Sequence, residues 1–171
     1  MGILDGNPKK EPLHYGEIMN LWSLSTLGKG MISCLQAYHN HAGDKDLKQL
    51  ITDLISQTKT EVQESDEVLK ENGITPAPAL PERPKVDVED IPAGARFSDA
   101  EIGAALAVDS AAGLVACSQG IGSSIREDIG AMFAKFHGQR ALLGTRILRL
   151  NKEKGWLVPP PLQMKDEPVP V

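Results

Sequence analysis

Apolar residues recur at helical spacing in four segments of this chain. We predict helices over about residues 14–42, 45–72, 99–120 and 124–154. In each segment, apolar side chains three and four positions apart form a stripe on one face, as expected for helices that pack together. The pattern predicts an all-α protein that forms a single four-helix bundle domain over residues 1–171.

The turn between the first two predicted helices is very short. Gly43 suits the position just past a helix end, and Asp44 suits an N-cap. A joint of this length places two helices side by side as an antiparallel hairpin. At the end of the second helix, Asn72 and Gly73 form a second stop signal.

Two serine–glutamate pairs mark the starts of the later helices. Ser98 is followed three residues later by Glu101, and Ser124 by Glu127. In such a capping box, each side chain accepts a hydrogen bond from the backbone of the other residue. We therefore expect the third helix to begin just after Ser98 and the fourth just after Ser124.

A long connection, residues 73–97, separates the two predicted hairpins and contains five prolines. An extended chain rises about 3.1 Å per residue, so this segment can span roughly 75 Å. A helix of 28 residues is only about 42 Å long. The chain can thus return along a whole helix before the third one begins. This predicts a ferritin-like up-down four-helix bundle with a long proline-rich crossover between helices 2 and 3.

Composition narrows the classes of function. The chain has 171 residues and a net charge of −5, so it lacks the basic surface expected of a nucleic-acid-binding protein. It has neither a run of 18 apolar residues nor a signal peptide pattern, so we expect no membrane partner and a cytoplasmic location. The proline-spaced tail, residues 165–171, is predicted to be flexible.

The sequence shows no motif of a nucleophilic or nucleotide-binding enzyme. Cys34 and Cys117 both lie within predicted helices, and we interpret them as buried free thiols. Gly120 and Gly122 resemble part of a phosphate-binding loop, but no strand precedes them, so a helix–helix turn is the favoured interpretation. We assign no catalytic residue and no cofactor-binding residue.

A bundle of this kind raises the question of a di-metal centre, which uses Glu-x-x-His pairs that face the interior. Glu11 and His14 have this spacing, but they precede the first helix. His39 and His41 lie two apart, on different faces, near a helix end. His137, in the last helix, is interpreted as a surface or partly packed residue. We therefore assign no metal ligand.

Asp109 lies near the apolar stripe of the third helix. A buried acid needs a partner, and Arg140 or Arg126 could supply one. The favoured interpretation is an aspartate at the edge of the stripe, in contact with water. An ion pair here would set the helix register more readily than it would carry out chemistry.

The third predicted helix is rich in small residues, which cover more than one of its faces. Smooth faces allow close helix contact, and this favours either packing inside the bundle or an oligomer interface. We predict a homo-oligomer, most simply a dimer. The small residues are Gly103, Ala104, Ala107, Ser110, Ala111 and Gly113.

Several landmarks resemble one known family. These are residues 69–74 before the spaced prolines, residues 97–99, residues 124–129, and Lys154-Gly155-Trp156 followed by Pro159-Pro160. Together they resemble the ferritin-like spore coat proteins of the coat protein F type and related bundles of spore-forming bacteria. The resemblance implies a spore-associated or structural role and carries no assigned catalytic residue.

Two functions follow as hypotheses. The first is a non-enzymatic structural or interaction protein, a component of the spore coat that contacts other coat proteins. The alternative is a metal-binding ferritin-like oxidase or iron-binding protein built on the same bundle. Stoichiometric, tightly bound iron or manganese in the purified protein would favour the alternative.

Overall fold

The computed structural model describes residues 11–163 and contains four long helices and no strand within that range. The prediction of an all-helical four-helix bundle is confirmed. The predicted tail, residues 165–171, lies outside the described residues. The helices are α1 (Tyr15–His41), α2 (Lys45–Glu71), α3 (Asp99–Ser123) and α4 (Glu127–Glu153).

Side-chain contacts give the direction of each helix. Early α2 residues pair with late α4 residues, since the carboxylate of Asp53 lies 2.7 Å from Nη2 of Arg146. Early α1 likewise meets late α3, where the Asn20 amide donates to Oγ of Ser123 at 2.8 Å. Because α1 and α2 form one antiparallel hairpin, α1 and α4 run one way, and α2 and α3 run the other.

One end of the bundle is tied together around the turn between α1 and α2. The Asp99 carboxylate, at the start of α3, accepts the backbone N–H groups of Gly43 and Asp44 at 2.8 and 3.0 Å. Lys154, just past α4, contacts the carboxylates of Asp44 and Asp46 at 2.7 and 2.8 Å. These bonds bring ends of all four helices together. The predicted N-cap role of Asp44 is confirmed.

The segment between α2 and α3 lies along α1. Lys29, in the middle of α1, donates to the carbonyl of Ala77 at 2.6 Å. His41, the last residue of α1, accepts the N–H of Phe97 at its Nδ1 at 3.0 Å. Before the segment, Gly73 adopts a φ of +74°, which suits a glycine at a helix end. Two short 3₁₀ helices interrupt the segment, Val88–Asp90 and Ala93–Ala95.

The two predicted capping boxes have different outcomes. Ser98 and Glu101 form the expected reciprocal pair, with the N–H of Ser98 donating to Oε2 of Glu101 at 2.7 Å. The second box is wrong, because α3 continues through Gly120 and Gly122 to Ser123. Ser124 instead donates its hydroxyl to the carbonyl of Gly120 at 2.7 Å. The fourth helix then begins at Glu127, after Arg126, without a side-chain cap.

The core consists of two apolar clusters along the bundle. The first surrounds Leu35, Leu50, Ile51, Leu106 and Ile147, near the α1–α2 turn. The second surrounds Leu21, Leu69, Cys117, Phe133 and Phe136, near the α3–α4 turn.

The apolar stripe predicted for α3 is only partly buried. Ile102 and Leu106 are buried as expected, but Val108 and Val115 are 72% and 68% exposed. They lie on the outer side of α3, which no other described element covers. The sequence pattern did not separate these two groups because α3 is apolar almost all round.

Glu17 ties α1 to the α3–α4 turn at the opposite end of the bundle. Its side chain is fully buried, and Oε1 accepts the N–H groups of Ile125 and Arg126 at 2.9 and 2.8 Å. Oε2 accepts the N–H of His14 at 3.1 Å, in a capping box that begins α1. A buried carboxylate with three backbone donors is well satisfied and fixes the position of the turn.

We expect Glu17→Ala to lower the free energy of unfolding by about 3 kcal/mol, because three backbone N–H groups, one of them buried and two partly buried, lose a charged acceptor. Urea denaturation followed by circular dichroism would measure this. Glu127→Ala, an exposed change at the first residue of α4, serves as control and should cost less than about 1 kcal/mol. Equal losses in the two variants would contradict the role of Glu17.

Candidate functional site

A groove of about 510 Å³ lies between α1 and α3. These two helices belong to different hairpins. Leu24, Leu27 and Met31 of α1 form one wall, and Ala112 and Ala116 of α3 form the other. The floor consists of side chains from α2 and α4. A cavity of this size and lining is typical of small-molecule sites, which hold about 300–1,000 Å³.

An ion pair lies in the floor of the groove. Glu61 of α2 is 1% exposed, and its Oε2 accepts Nε and Nη2 of Arg140 at 3.0 and 2.5 Å. Its Oε1 accepts the amide of Gln57 at 2.9 Å. Because both oxygens are hydrogen-bonded, the buried charge is compensated. The pair joins α2 to α4 between the two apolar clusters.

A glycine of α3 makes room for the guanidinium of Arg140. A Cβ at Gly113 would clash with Nη1 of Arg140, so any side chain there would displace the arginine or push α3 outward. The predicted small residues of α3 thus have two roles. Gly113 faces the groove floor, whereas Ala107 and Ala111 are exposed.

Asp109 faces the groove and is half-buried. Burial raises the pKa of its carboxyl, and the nearby charge of Arg140 partly opposes this rise. No hydrogen bond or ion pair to this carboxylate occurs within residues 11–163. The suggested ion pair with Arg140 is therefore wrong, and the guanidinium instead donates Nε and Nη2 to Glu61.

The suggested pair between Asp109 and Arg126 is also wrong. Arg126 lies at the α3–α4 turn, where Nη2 contacts the carboxylate of Asp128 at 2.6 Å. This arginine lowers the pKa of Asp128. Nη1 donates to the carbonyl of Glu11 at 3.2 Å. Arg126 thus has a structural role at the end of the bundle, away from the groove.

The four histidines do not meet in the fold. His14 is the N-cap of α1, where its Nδ1 accepts the N–H of Gly16 at 2.9 Å. His41 binds the backbone of Phe97, and burial together with Lys48 and Lys85 lowers the pKa of His39. Across residues 11–163, no three His, Cys, Asp or Glu side chains lie close enough together to hold a metal ion.

The two cysteines differ in environment. Both are free thiols, and Cys117 is buried, as predicted, with a pKa raised chiefly by that burial. The prediction for Cys34 is wrong, since its side chain is exposed. Cys34 occupies the solvent side of α1, next to the buried Leu35.

Sequence reasoning missed Glu61, the best-buried charge of the groove. A signal was present, because the apolar stripe of α2 is interrupted by buried polar residues at Thr58, Glu61 and Ser65. Polar residues on a core-facing stripe indicate a buried polar layer that needs partners. The partner, Arg140, lies 79 positions away and follows only from the fold.

Comparison with known proteins identifies the family. A family described as "protein of unknown function (DUF3231)" matches residues 1–169. The chain belongs to the DUF3231 family. It is 50% identical over 165 residues to the uncharacterised protein YvdQ of Bacillus subtilis (strain 168), and the match covers 96% of this chain and 97% of that protein.

Solved structures share the fold of this DUF3231 chain. A crystal structure from Bacillus halodurans C-125, described as a "putative spore coat protein", is 47% identical and has a TM-score of 0.91. The match covers 93% of this chain and all of the other. A conserved hypothetical protein of Mycobacterium tuberculosis is 13% identical, with a TM-score of 0.64 over 79% of this chain and 96% of that one. This second likeness concerns the fold alone.

We expect Arg140→Met to lower the free energy of unfolding by about 3 kcal/mol, because the buried carboxylate of Glu61 loses its counter-charge. The double variant Glu61→Leu with Arg140→Met should lose less, since no unpaired charge remains. Arg146→Met, which breaks an exposed pair between the same helices, is the control and should cost less than about 1 kcal/mol.

Chemical denaturation of the four proteins measures these differences. A double variant that is less stable than Arg140→Met alone would show that the ion pair itself, rather than the unpaired carboxylate, dominates the loss.

Proposed function

We propose that this chain is a non-enzymatic structural or interaction protein associated with the spore coat, made in the cytoplasm and assembled with other coat proteins. The spore assignment is supported by the 47% identity to the Bacillus halodurans protein and its description. The proposed interaction role rests on one observation, the exposed and uncharged outer side of α3.

The outer side of α3 has the spacing of a coiled-coil seam. Exposed small or apolar residues recur at Ala104, Val108, Ala111 and Val115, separated by four, three and four positions. Such alternation matches the heptad pattern by which two helices pack along each other. Between Glu101 and Arg126, Asp109 is the only charged residue. An uncharged seam of this kind favours contact with another protein surface.

The same composition gives α3 a second property. By length and composition alone, the segment Ala93–Ser123 could cross a membrane, and 22% of its most apolar window is buried. A single helix of this type is weak support for a membrane protein. The seam spacing and small side chains favour a second protein helix as the cover.

We further propose that a second copy of this chain covers the outer side of α3, forming a two-fold symmetric dimer. In a dimer of this symmetry the same surface is used twice, so the small residues of one α3 would lie against those of the other. Alanine and valine at the seam let the backbones approach closely. The proline-rich connection lies against α1 and α2, where Lys29 donates to the carbonyl of Ala77 and Lys59 contacts Glu82, so α3 carries the proposed contact.

The ferritin-like classification and the crossover are part of the same proposal. They are supported by the parallel directions of α2 and α3, and by the contacts of Ala77 and Phe97 along α1. A ferritin-like bundle need not hold metal. The iron-binding alternative has no supporting group of ligands within residues 11–163.

A fluorescent fusion of this chain, produced in Bacillus subtilis during sporulation, should concentrate at the developing spore and remain with washed, purified spores. The physical basis is retention by protein–protein contact through the uncharged surface. The fluorescent protein alone is the control. A fusion that stays evenly distributed in the cell and is absent from purified spores would contradict the proposed location.

Ala111→Glu should split the dimer while leaving the helix content unchanged, because it places a charge in a dry contact between two copies. Ala107→Glu tests the adjacent position. Ala134→Glu, on an exposed part of α4, is the matched control and should remain dimeric. Sedimentation velocity at tens of micromolar and circular dichroism measure both properties; a monomeric native protein would refute self-association.

A further inference from the structure

The floor of the groove contains hydrogen-bonding groups that the protein itself leaves open. Arg140 uses Nε and Nη2 for Glu61, and its Nη1, beside Gly113, has no acceptor among residues 11–163. The Asp109 carboxylate, within the electrostatic range of Arg140, likewise has no donor in that part of the chain. The open acceptor at Asp109, in a partly enclosed and mostly apolar site, favours a ligand that donates hydrogen bonds to it.

The charges of the floor select the sign of that ligand. Glu61 and Asp109 carry two negative charges, and Arg140 carries one positive charge. Arg140 is already neutralised by Glu61, with two hydrogen bonds to one carboxylate oxygen. The excess charge therefore lies on Asp109, which burial disfavours. A cationic group beside Asp109 would bring the whole floor to neutrality.

The walls of the groove select the rest of the ligand. Leu24, Leu27 and Met31 face Ala112 and Ala116 across the opening. The side chain of Leu27 is 71% exposed, although it borders an apolar cavity. Each methylene group of a ligand that enters such a site strengthens binding by about threefold to fourfold. The site thus combines one acidic group with walls suited to an aliphatic chain.

We propose that the groove between α1 and α3 binds an amphiphilic organic cation, with its ammonium group at the Asp109 carboxylate and its aliphatic chain between Leu27 and Ala112. Glu61 and Arg140 hold the floor in place and do not carry the excess charge. The site is separate from the proposed dimer surface, since Ala107 and Ala111 do not line the groove.

Calorimetric titration of the full chain with n-decylammonium tests the proposal, with n-decanoate as a probe of equal length and opposite charge. We expect one decylammonium per chain, bound at least tenfold more tightly than decanoate. The series from hexylammonium to decylammonium should gain affinity with each methylene. Equal or tighter binding of decanoate would overturn the proposal. So would a dissociation constant for decylammonium weaker than about 1 mM.

Two variants locate the site. Asp109→Asn keeps the size of the side chain and removes its charge, so decylammonium should bind at least tenfold more weakly. Ala112→Trp narrows the groove and should weaken the whole chain-length series. Asp53→Asn, an acid on α2 outside the groove, is the matched control and should change affinity by less than twofold.

An unchanged affinity in Asp109→Asn, or an equal loss in Asp53→Asn, would assign the binding to general surface charge and refute the site. Circular dichroism verifies that each variant is folded. The comparison of the two probes on the native chain decides the question even where a variant unfolds. A negative result would leave the spore localisation and the dimer untouched, because their tests use other surfaces.

Discussion

The carboxylate of Glu61 is the constraint on which the middle of this bundle depends. It is buried between two apolar clusters, where an unpaired charge would be too costly to keep. Arg140 must therefore reach it from α4, and this fixes the register of α4 against α2. The guanidinium needs space beside α3, and Gly113 supplies it. One buried acid thus determines which residues face one another on three helices.

The same arrangement explains why the bundle has a groove. A polar layer cannot close as tightly as interlocked aliphatic side chains, and α3 offers mainly alanine and glycine at this level. The walls of α1 and α3 consequently stay apart above the ion pair. At the two ends of the bundle, the helices are held together by carboxylates that accept backbone N–H groups. Glu17 does this at one end and Asp99 at the other.

Local sequence signals predicted the helices well and the site poorly. The capping box of Ser98 with Glu101 and the N-cap at Asp44 involve hydrogen bonds between residues at most three positions apart, so the sequence shows them directly. Ser124 and Glu127 have the same spacing, but α3 extends beyond its predicted end. The Ser124 hydroxyl therefore donates to the carbonyl of Gly120 and does not cap α4. The partner of Arg140 could not be predicted, since it depends on how α2 faces α4. The exposure of Val108 depends on what covers α3, which periodicity does not encode.

The bonds at the two ends also determine how the groove can move. Contacts hold α3 in place at both ends. At its start, Asp99 accepts the N–H groups of Gly43 and Asp44, and at its end, the carbonyl of Ser123 contacts His14. On its other side, α1 is held by the segment that carries Ala77 and Phe97. The groove can therefore widen only if the centre of α3 bends outward while its two ends stay in place.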